Sequence, residues 1–392
     1  MMFRVWVAIA LVCLPIGCGW GAEISLFDGE TLFGWQATSD ANWRVEQGEI
    51  RVDSGPAGWL MTTSEFTDFE LHIEFKAPVA TNSGVFLRTS LAPTDPTKDC
   101  YEVNIAPAEN AFPMGSLVGR VKATAAEAGR NAPPAEAGSP ASPASAGGDW
   151  HTFDITTQGS EIAVMLDSKR VASYTDPKPL RRGRIGLQFR EGPVAFRNVR
   201  LRPLGLEPLL NGKDLAGWNT DRAGEGDFSV LPSGELQVKN GPGQLESIQS
   251  YGNFLLQLEC QVNGDGLNSG VFFRCIPRDL MMGYESQIHN GMVDGDPTKP
   301  VDCGTGGIFR RQNARRIVAR DHEWFAKTIV ADGPHMAVWV NGIQVSDWTD
   351  DRPADENPRR GLRTKVGTIA IQGHDPTTDF LFRNLRIVEL PE

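Results

Sequence analysis

The chain has 392 residues and a formal net charge of −11, and 22% of its residues are charged while 40% are hydrophobic. This composition is typical of a globular protein and excludes a disordered chain, and the length allows two or three domains. The acidic balance and the lack of a long basic run argue against nucleic acid as a partner, because binding phosphates requires a surface of lysine and arginine.

The N-terminus has the pattern of an export signal. Arg4 precedes an apolar run over residues 5–16, which is too short to span a membrane comfortably. We expect cleavage near Ala22, so that residues 1–22 are removed and the protein works in the periplasm or outside the cell. The alternative is lipidation of Cys18 in a degenerate lipoprotein box, which would anchor the protein by lipid. No later segment is predicted to be a transmembrane span.

The rest of the chain is an internal duplication. Residues 26–35, LFDGETLFGW, return at 209–218 as LLNGKDLAGW. The later matched segments, first copy before second, are 82–86 with 268–272, 101–105 with 284–288, 183–188 with 367–372, and 196–199 with 382–385. A period of roughly 180 residues is far too long for a solenoid repeat. The pattern predicts two copies of one domain, at 23–203 and 207–392, with a short proline-bounded junction that leaves them lying against each other.

Each copy is predicted to be all-β. Short alternations of apolar and polar residues are separated by turn residues, and no long segment has helical periodicity. The Asn341-Gly342 pair between two alternating segments is the strongest hairpin signal in the chain. Many short strands with glycine-rich turns indicate a β-sandwich or jelly roll. The tryptophans at repeated positions are interpreted as core anchors: Trp35, Trp218, Trp150 and Trp324.

Two loops occupy the same place in the two copies. Residues 123–148 are rich in alanine, proline, serine and glycine and are predicted to form a flexible loop. Residues 308–320 are instead rich in arginine, at Arg310, Arg311, Arg315, Arg316 and Arg320. This difference fits a site rim that has decayed in the first copy, and it fits a harmless insertion equally well.

Cysteine is sparse and gives no metal-knuckle spacing. Cys260 and Cys275 flank the turn at Asp265 and Gly266 almost symmetrically. They could face each other across a hairpin and form a disulfide in an oxidising compartment. The alternative is that both are free, buried thiols.

The segment 283–290, GYESQIHN, contains the most informative polar pattern. Alternation along a strand places Glu285, Gln287 and His289 on one face, which suits the floor of a polar site or a solvated sheet surface. By the same rule, Gln372 and His374 share a face of their strand. Asn268 is likewise predicted to share a face with Phe272 and Arg274. If these strands form one sheet, the polar groups define a cleft.

The two copies differ at both histidines of that cleft. The first copy has Ala106 in place of His289 and Arg190 in place of His374, although it keeps Glu102 at the position of Glu285. Histidine titrates near neutral pH and suits general acid–base catalysis. The second copy is therefore predicted to carry the chemistry, and the first to have a supporting or binding role.

These motifs together resemble the 3-keto-disaccharide hydrolase family. The resemblance rests on NSGVF-x-R at 268–274, GYE-x-QI at 283–288, the Asn-Gly hairpin, and IQGH followed by FRNL. It covers nearly all of the mature chain twice, and the second copy is the closer match. It implies a concanavalin- or laminin-G-like sandwich whose concave face binds sugar. It also implies cleavage of glycosides whose C3 hydroxyl has been oxidised to a ketone.

The resemblance also suggests roles for the cleft residues. His289 would be the base, and Glu285 or His374 its acid partner. Arg274 would stabilise the enolate. The remaining polar residues of the cleft would bind the oligosaccharide or glycoside substrate: Asn268, Gln287 and Gln372.

A bound divalent metal cation could serve beside Arg274 or in its place, with Glu285, His289 and His374 as ligands. The sequence shows no strong metal motif. The competing hypothesis for the whole chain is a non-catalytic, lectin-like glycan-binding protein.

Overall fold

The computed structural model describes residues 21–124 and 149–391. The predicted export signal, with Cys18, lies outside these residues except at its last two positions, and so does nearly all of the loop predicted at 123–148. The described part of the chain is all-β, as predicted, and forms two sandwiches of antiparallel sheets. Its helical content is a 3-10 turn at Val293–Gly295. No helix in the described residues has the length and apolar composition needed to cross a bilayer.

The first sandwich stacks an eight-stranded sheet on a five-stranded sheet. Its strands are β1 (Ile24–Ser25), β2 (Trp35–Ala37), β3 (Arg44–Glu46), β4 (Glu49–Val52), β5 (Gly58–Thr62), β6 (Phe69–Lys76), β7 (Ser83–Thr89), β8 (Tyr101–Ile105), β9 (His151–Gln158), β10 (Glu161–Leu166), β11 (Lys169–Thr175), β12 (Arg184–Phe189) and β13 (Val194–Pro203). The larger sheet has the order β11-β10-β9-β6-β13-β4-β3, with β1 on β13, and the smaller one has the order β2-β5-β12-β7-β8.

The second sandwich repeats this topology strand for strand. Its strands are β14 (Glu207–Pro208), β15 (Trp218–Asn219), β16 (Asp227–Val230), β17 (Leu236–Lys239), β18 (Gly243–Tyr251), β19 (Phe254–Val262), β20 (Ser269–Cys275), β21 (Tyr284–Ile288), β22 (Trp324–Asp332), β23 (His335–Val340), β24 (Ile343–Thr349), β25 (Gly367–Gly373) and β26 (Asp379–Glu389). The sheet orders are β16-β17-β26-β19-β22-β23-β24, with β14 on β26, and β15-β18-β25-β20-β21.

The first repeated tryptophan anchors each copy in the same way. The indole Nε1 of Trp35 donates to the carbonyl oxygen of Leu26 at 2.5 Å, and that of Trp218 donates to the carbonyl oxygen of Leu209 at 2.9 Å. Both side chains are buried. In each case the hydrogen bond ties the first strand of the smaller sheet to the start of the repeat, which confirms the interpretation of these two residues as core anchors.

The second tryptophan pair corrects the same interpretation. Trp150 and Trp324 are only half-buried. The guanidinium of Arg197 lies 3.9 Å from the Trp150 ring centroid, and that of Arg383 lies 4.0 Å from the Trp324 centroid. Each arginine thus covers its indole on the outer surface of the larger sheet, where cation–π contact replaces burial in the core.

The hairpin prediction is confirmed and the disulfide geometry is not. Val340 pairs with Ile343 across Asn341-Gly342, whose φ angles of 48° and 79° are those of a type I′ turn. Cys260 and Cys275, in contrast, are free and buried. They lie on β19 and β20, which belong to different sheets, so the intervening turn crosses the sandwich instead of closing a hairpin.

The two sandwiches lie against each other. Trp339 of the second copy is buried beside Phe66 of the first, with ring centroids 6.5 Å apart. Arg315 pairs with Asp28 at 2.6 Å. Arg316 makes a similar pair with Glu30. Two of the five arginines in the loop at 308–320 therefore hold the copies together and do not line a site.

Candidate functional site

The outer face of the smaller sheet in the second copy is polar. The structure joins β25, β20 and β21 in one sheet, with Gln287 opposite Gly270 and Glu285 opposite Phe272. Alternate residues of these strands, such as Val271, lie in the sandwich core. The polar side chains consequently lie on the opposite face, as the alternation predicts.

One end of this face carries a hydrogen-bonded carboxylate that the pattern of strand alternation did not identify. Asp302 Oδ2 accepts from Gln287 Nε2 at 2.8 Å and from Asn268 Nδ2 at 2.6 Å. Asp302 lies in a loop, so strand alternation could not identify it. The two amides that the sequence predicted are brought together and oriented by this carboxylate.

Two amide oxygens on the face have no hydrogen-bond partner among the described residues. They are Gln287 Oε1 and Gln372 Oε1, and both are buried. Nearly all buried polar atoms in proteins are paired, so such groups require an explanation. A ligand hydroxyl that donates to them is one explanation, because each oxygen can only accept.

Glu285 is the group of this face whose pKa is shifted most clearly. Its side chain lies over Gly270, where any Cβ would collide with the carboxyl group. Burial raises the pKa of Glu285 to about 7, although the nearby positive charges of Arg359 and Lys327 lower it. A carboxyl group with a pKa near neutrality can donate and accept a proton at physiological pH.

The predicted role of Arg274 needs correction, because this residue does not share the face. The register shifts between Phe272 and Cys275, and Arg274 has a φ of 49°. This bulge breaks the alternation on which the prediction was based.

The Arg274 guanidinium is buried among neighbouring loops. It donates to Asn253 Oδ1 at 2.9 Å and to the carbonyl oxygen of Gly252 at 3.2 Å. In the first copy, Arg88 has a φ of 47° and bonds in the same way to Asp68 and to loop carbonyls. The arginine at this position therefore has the same structural role in both copies.

Arg359 brings a guanidinium to the face. It lies 3.5 Å from Glu285 Oε2, and its guanidinium carbon lies 5.3 Å from the Phe272 ring centroid. Its Nη2 donates to the carbonyl oxygen of Met281 at 3.1 Å. Arg359 comes from the loop between β24 and β25, and nothing in the local sequence pattern marks it as a site residue.

The two predicted histidines lie at one end of the sheet. His289 follows β21 and is partly exposed, and its Nδ1 accepts from the backbone N–H of Gly291 at 3.1 Å. The imidazole of His374 follows β25 and contacts Asp375 at 2.7 Å. Among the described residues, neither imidazole contacts Glu285. The structure thus gathers Glu285 and the amides, and leaves the histidines at the rim.

A buried lysine supports the strand from behind. Lys327 is 0% exposed, and its Nζ donates to the carbonyl oxygens of Ser286 at 2.8 Å and Gln287 at 2.9 Å. Burial lowers the pKa of Lys327 to about 7. The first copy has Phe153 at this position, three residues after the matched tryptophan. That mismatch in the repeat was the sequence signal that could have identified Lys327.

Comparison with known proteins identifies the domain type. The model of the 3-keto-alpha-glucoside-1,2-lyase-like domain matches the chain twice, over residues 21–202 and 205–388. A search of curated proteins returned no significant match.

Several solved structures are similar to this chain. Two Parabacteroides distasonis proteins, provisionally named glycosyl hydrolases, align at 19% and 25% identity with TM-scores of 0.39 and 0.38. The alignments cover 48% and 47% of this chain and 94% and 99% of theirs. A carbohydrate-binding module of Bacillus subtilis aligns at 14% identity and a TM-score of 0.31, over 43% of this chain and 94% of its own. Each alignment spans less than half of this chain.

Proposed function

The chain belongs to the 3-keto-alpha-glucoside-1,2-lyase-like family in both of its copies, and we propose that the second copy cleaves glycosides whose C3 hydroxyl has been oxidised to a ketone. The observation that carries this proposal is the polar face around Glu285. A carboxyl group with a pKa of about 7 lies there beside a guanidinium and two amide oxygens that have no partner in the described part of the chain. A carbohydrate-active role follows from the family, and the reaction is our inference.

The chemistry needs a base, an acid and a positive charge. A C3 ketone acidifies the C2 proton, so a base can remove it while the electron pair forms an enolate. The enolate then expels the C1 oxygen, which takes a proton from an acid as the C1–O bond breaks. Addition of water to the resulting unsaturated sugar makes the net reaction a hydrolysis. General acid–base groups typically contribute about 10²- to 10⁴-fold to such rates.

The residues of the second copy can be assigned to these tasks. His289 is proposed as the base, acting through Nε2, since its Nδ1 already accepts a hydrogen bond from Gly291. Glu285, protonated near neutral pH, is proposed as the acid for the leaving oxygen. Arg359 replaces Arg274 as the proposed source of positive charge at the enolate. Gln287 and Gln372 are proposed to accept from sugar hydroxyls.

A metal cofactor does not fit the described residues. No group of three or more histidine, cysteine, aspartate or glutamate side chains among them could hold a metal ion. Glu285, His289 and His374 in particular do not converge. No step of the proposed reaction is therefore routed through a metal.

Cleavage is tested by incubating the full chain with 3-keto-glucosides prepared from common disaccharides, and separately with the unoxidised parents. We expect products only from the oxidised substrates, with no change when a chelator is added. Binding of the 3-keto-glucosides without turnover would favour the lectin-like alternative. Loss of activity with the chelator would overturn the metal-free assignment.

We also propose that the protein is exported. The support is the N-terminal sequence, in which a basic start, an apolar run and small residues precede Ala22. Mass spectrometry of the processed protein should find a chain that begins near Glu23. A diacylated Cys18 at the N-terminus would instead show a lipid-anchored protein.

A further inference from the structure

On the outer face of its smaller sheet, the first copy has some of the polar residues of the second copy and different residues at other positions. On its smaller sheet, Trp59 lies opposite Gln188, as Gln244 lies opposite Gln372 in the second copy. The first copy also keeps the glycine and the glutamate that covers it. A Cβ on Gly84 would meet the side chain of Glu102, as one on Gly270 would meet Glu285. The clearest difference is thus that the first copy has the indole of Trp59 where the second has the amide of Gln244.

Trp59 has the features of a sugar-stacking residue. It is half-buried on the outer face of the sheet, and its Nε1 has no hydrogen-bond partner among the described residues. Phe86 packs edge-on against it, with ring centroids 5.7 Å apart, and fixes the ring plane. Aromatic side chains combine a large apolar surface with a polar N–H, which matches the apolar face and the hydroxyl rim of a pyranose.

The groups beside Trp59 can bind hydroxyls. Gln188 is 7% exposed, and its Oε1 has no partner among the described residues. Glu102 is 8% exposed, and burial raises its pKa to about 7, so that the acid form can donate a hydrogen bond. Gln188 Oε1 can only accept a hydrogen bond. One sugar hydroxyl can therefore donate to Gln188 Oε1 and accept from the acid form of Glu102 at the same time.

This face lacks the proposed machinery for cleavage. Ala106 and Arg190 stand where the second copy has its two histidines. Arg190 is exposed, and its charge is the one that acts on Glu102. The groups in the more buried part of the face are an indole, an amide and the acid form of a carboxyl group, and these suit a neutral ligand.

We propose that this face of the first copy is a second carbohydrate site, which holds a neutral, unoxidised pyranose against Trp59, Gln188 and Glu102 without cleaving it. The site goes beyond the proposed reaction, because its ligand carries no ketone. In the full chain it would keep the protein on a glycan while the second copy acts on oxidised units.

The test uses the full chain and two neutral probes, maltotriose and cellotriose, which carry α- and β-linked glucose. Titration is followed in ¹H–¹⁵N spectra, where each tryptophan gives one indole signal. We expect a saturable shift of the Trp59 signal with at least one probe. Isothermal titration calorimetry compares the affinities, because Trp59→Ala lacks the indole signal. Trp59→Ala and Gln188→Leu should each weaken binding by about tenfold, a typical loss for one central contact.

Matched variants make each outcome decisive. His289→Ala in the second copy should leave the Trp59 shift intact. Unchanged affinity in Trp59→Ala or in Gln188→Leu, or no saturable shift with either probe, would overturn the proposal. Circular dichroism checks that each variant is folded, and Trp59→Phe provides a milder change if Trp59→Ala is not. If the chain bound a neutral probe at Trp59 but did not cleave 3-keto-glucosides, the proposed reaction would be refuted and the proposed second site would stand.

Discussion

The two copies have the same framework and different polar faces. Arg88 and Arg274 occupy matched bulges and tie matched loops, so their repetition reflects folding. Glu102 and Glu285 also match, and burial raises the pKa of each to about 7. Their surroundings differ: Arg359 lies 3.5 Å from Glu285, whereas the arginine whose charge acts on Glu102 is the exposed Arg190.

Comparison of the copies therefore separates residues that make the same contacts in both from residues whose surroundings differ between the two faces. The arginine of NSGVF-x-R, which is present in both copies, ties neighbouring loops together in each. Positions that differ on the shared polar face point to function, as with His289 against Ala106.

The largest expected effect is on catalysis in the second copy. His289→Ala should lower turnover of a 3-keto-glycoside by at least about 100-fold, the low end for loss of a general acid or base. Glu102→Ala in the first copy should alter binding at most. Product analysis of the two variants makes the comparison. Equal, small losses from both would favour a binding protein with two similar sites.

The next effect is the pH dependence of cleavage. Glu285 must be protonated to act as the acid, and its pKa of about 7 means that it ionises above neutrality. Turnover should therefore fall by about tenfold per pH unit above that pKa. In Glu285→Gln this alkaline limb should be absent, at a lower overall rate. An identical limb in the variant would assign it to another group.

Replacing either of the matched arginines should lower the free energy of unfolding by a similar amount. Arg274→Met and Arg88→Met each leave buried carbonyl groups without their donor, and each should lower the free energy of unfolding by about 3 kcal/mol. Chemical denaturation measures both. If Arg274→Met abolished activity while stability was unchanged, the assignment of this residue to the fold would be wrong.

The smallest expected effect concerns Lys327. Its unfolded-state pKa is 10.5 and its folded-state pKa is about 7. Between these values the unfolded chain binds more protons, so this group makes stability rise with pH. Lys327→Met should remove that rise and leave stability at pH 7 unchanged or higher by about 1 kcal/mol. A steep loss of stability would show that the lysine is required for folding.

The sequence predicted what depends on local pattern and repetition. Strand alternation placed Glu285 and Gln287 on the face where the structure has them, and Asn341-Gly342 marked its hairpin. Features that depend on contacts between distant parts of the chain could not be predicted from local pattern. The bulge at Arg274 depends on pairing with a distant strand, and Asp302 and Arg359 reach the site from loops.

In the proposed reaction, a base in the second copy removes the C2 proton of a 3-keto-glycoside. NMR of the substrate in D₂O measures this step directly, as loss of the C2 proton signal through deuterium exchange. The wild-type protein and Glu102→Ala should both exchange the proton, and His289→Ala should not. Exchange that persists in His289→Ala, or that is lost in Glu102→Ala, would contradict the assignment of the chemistry to the second copy.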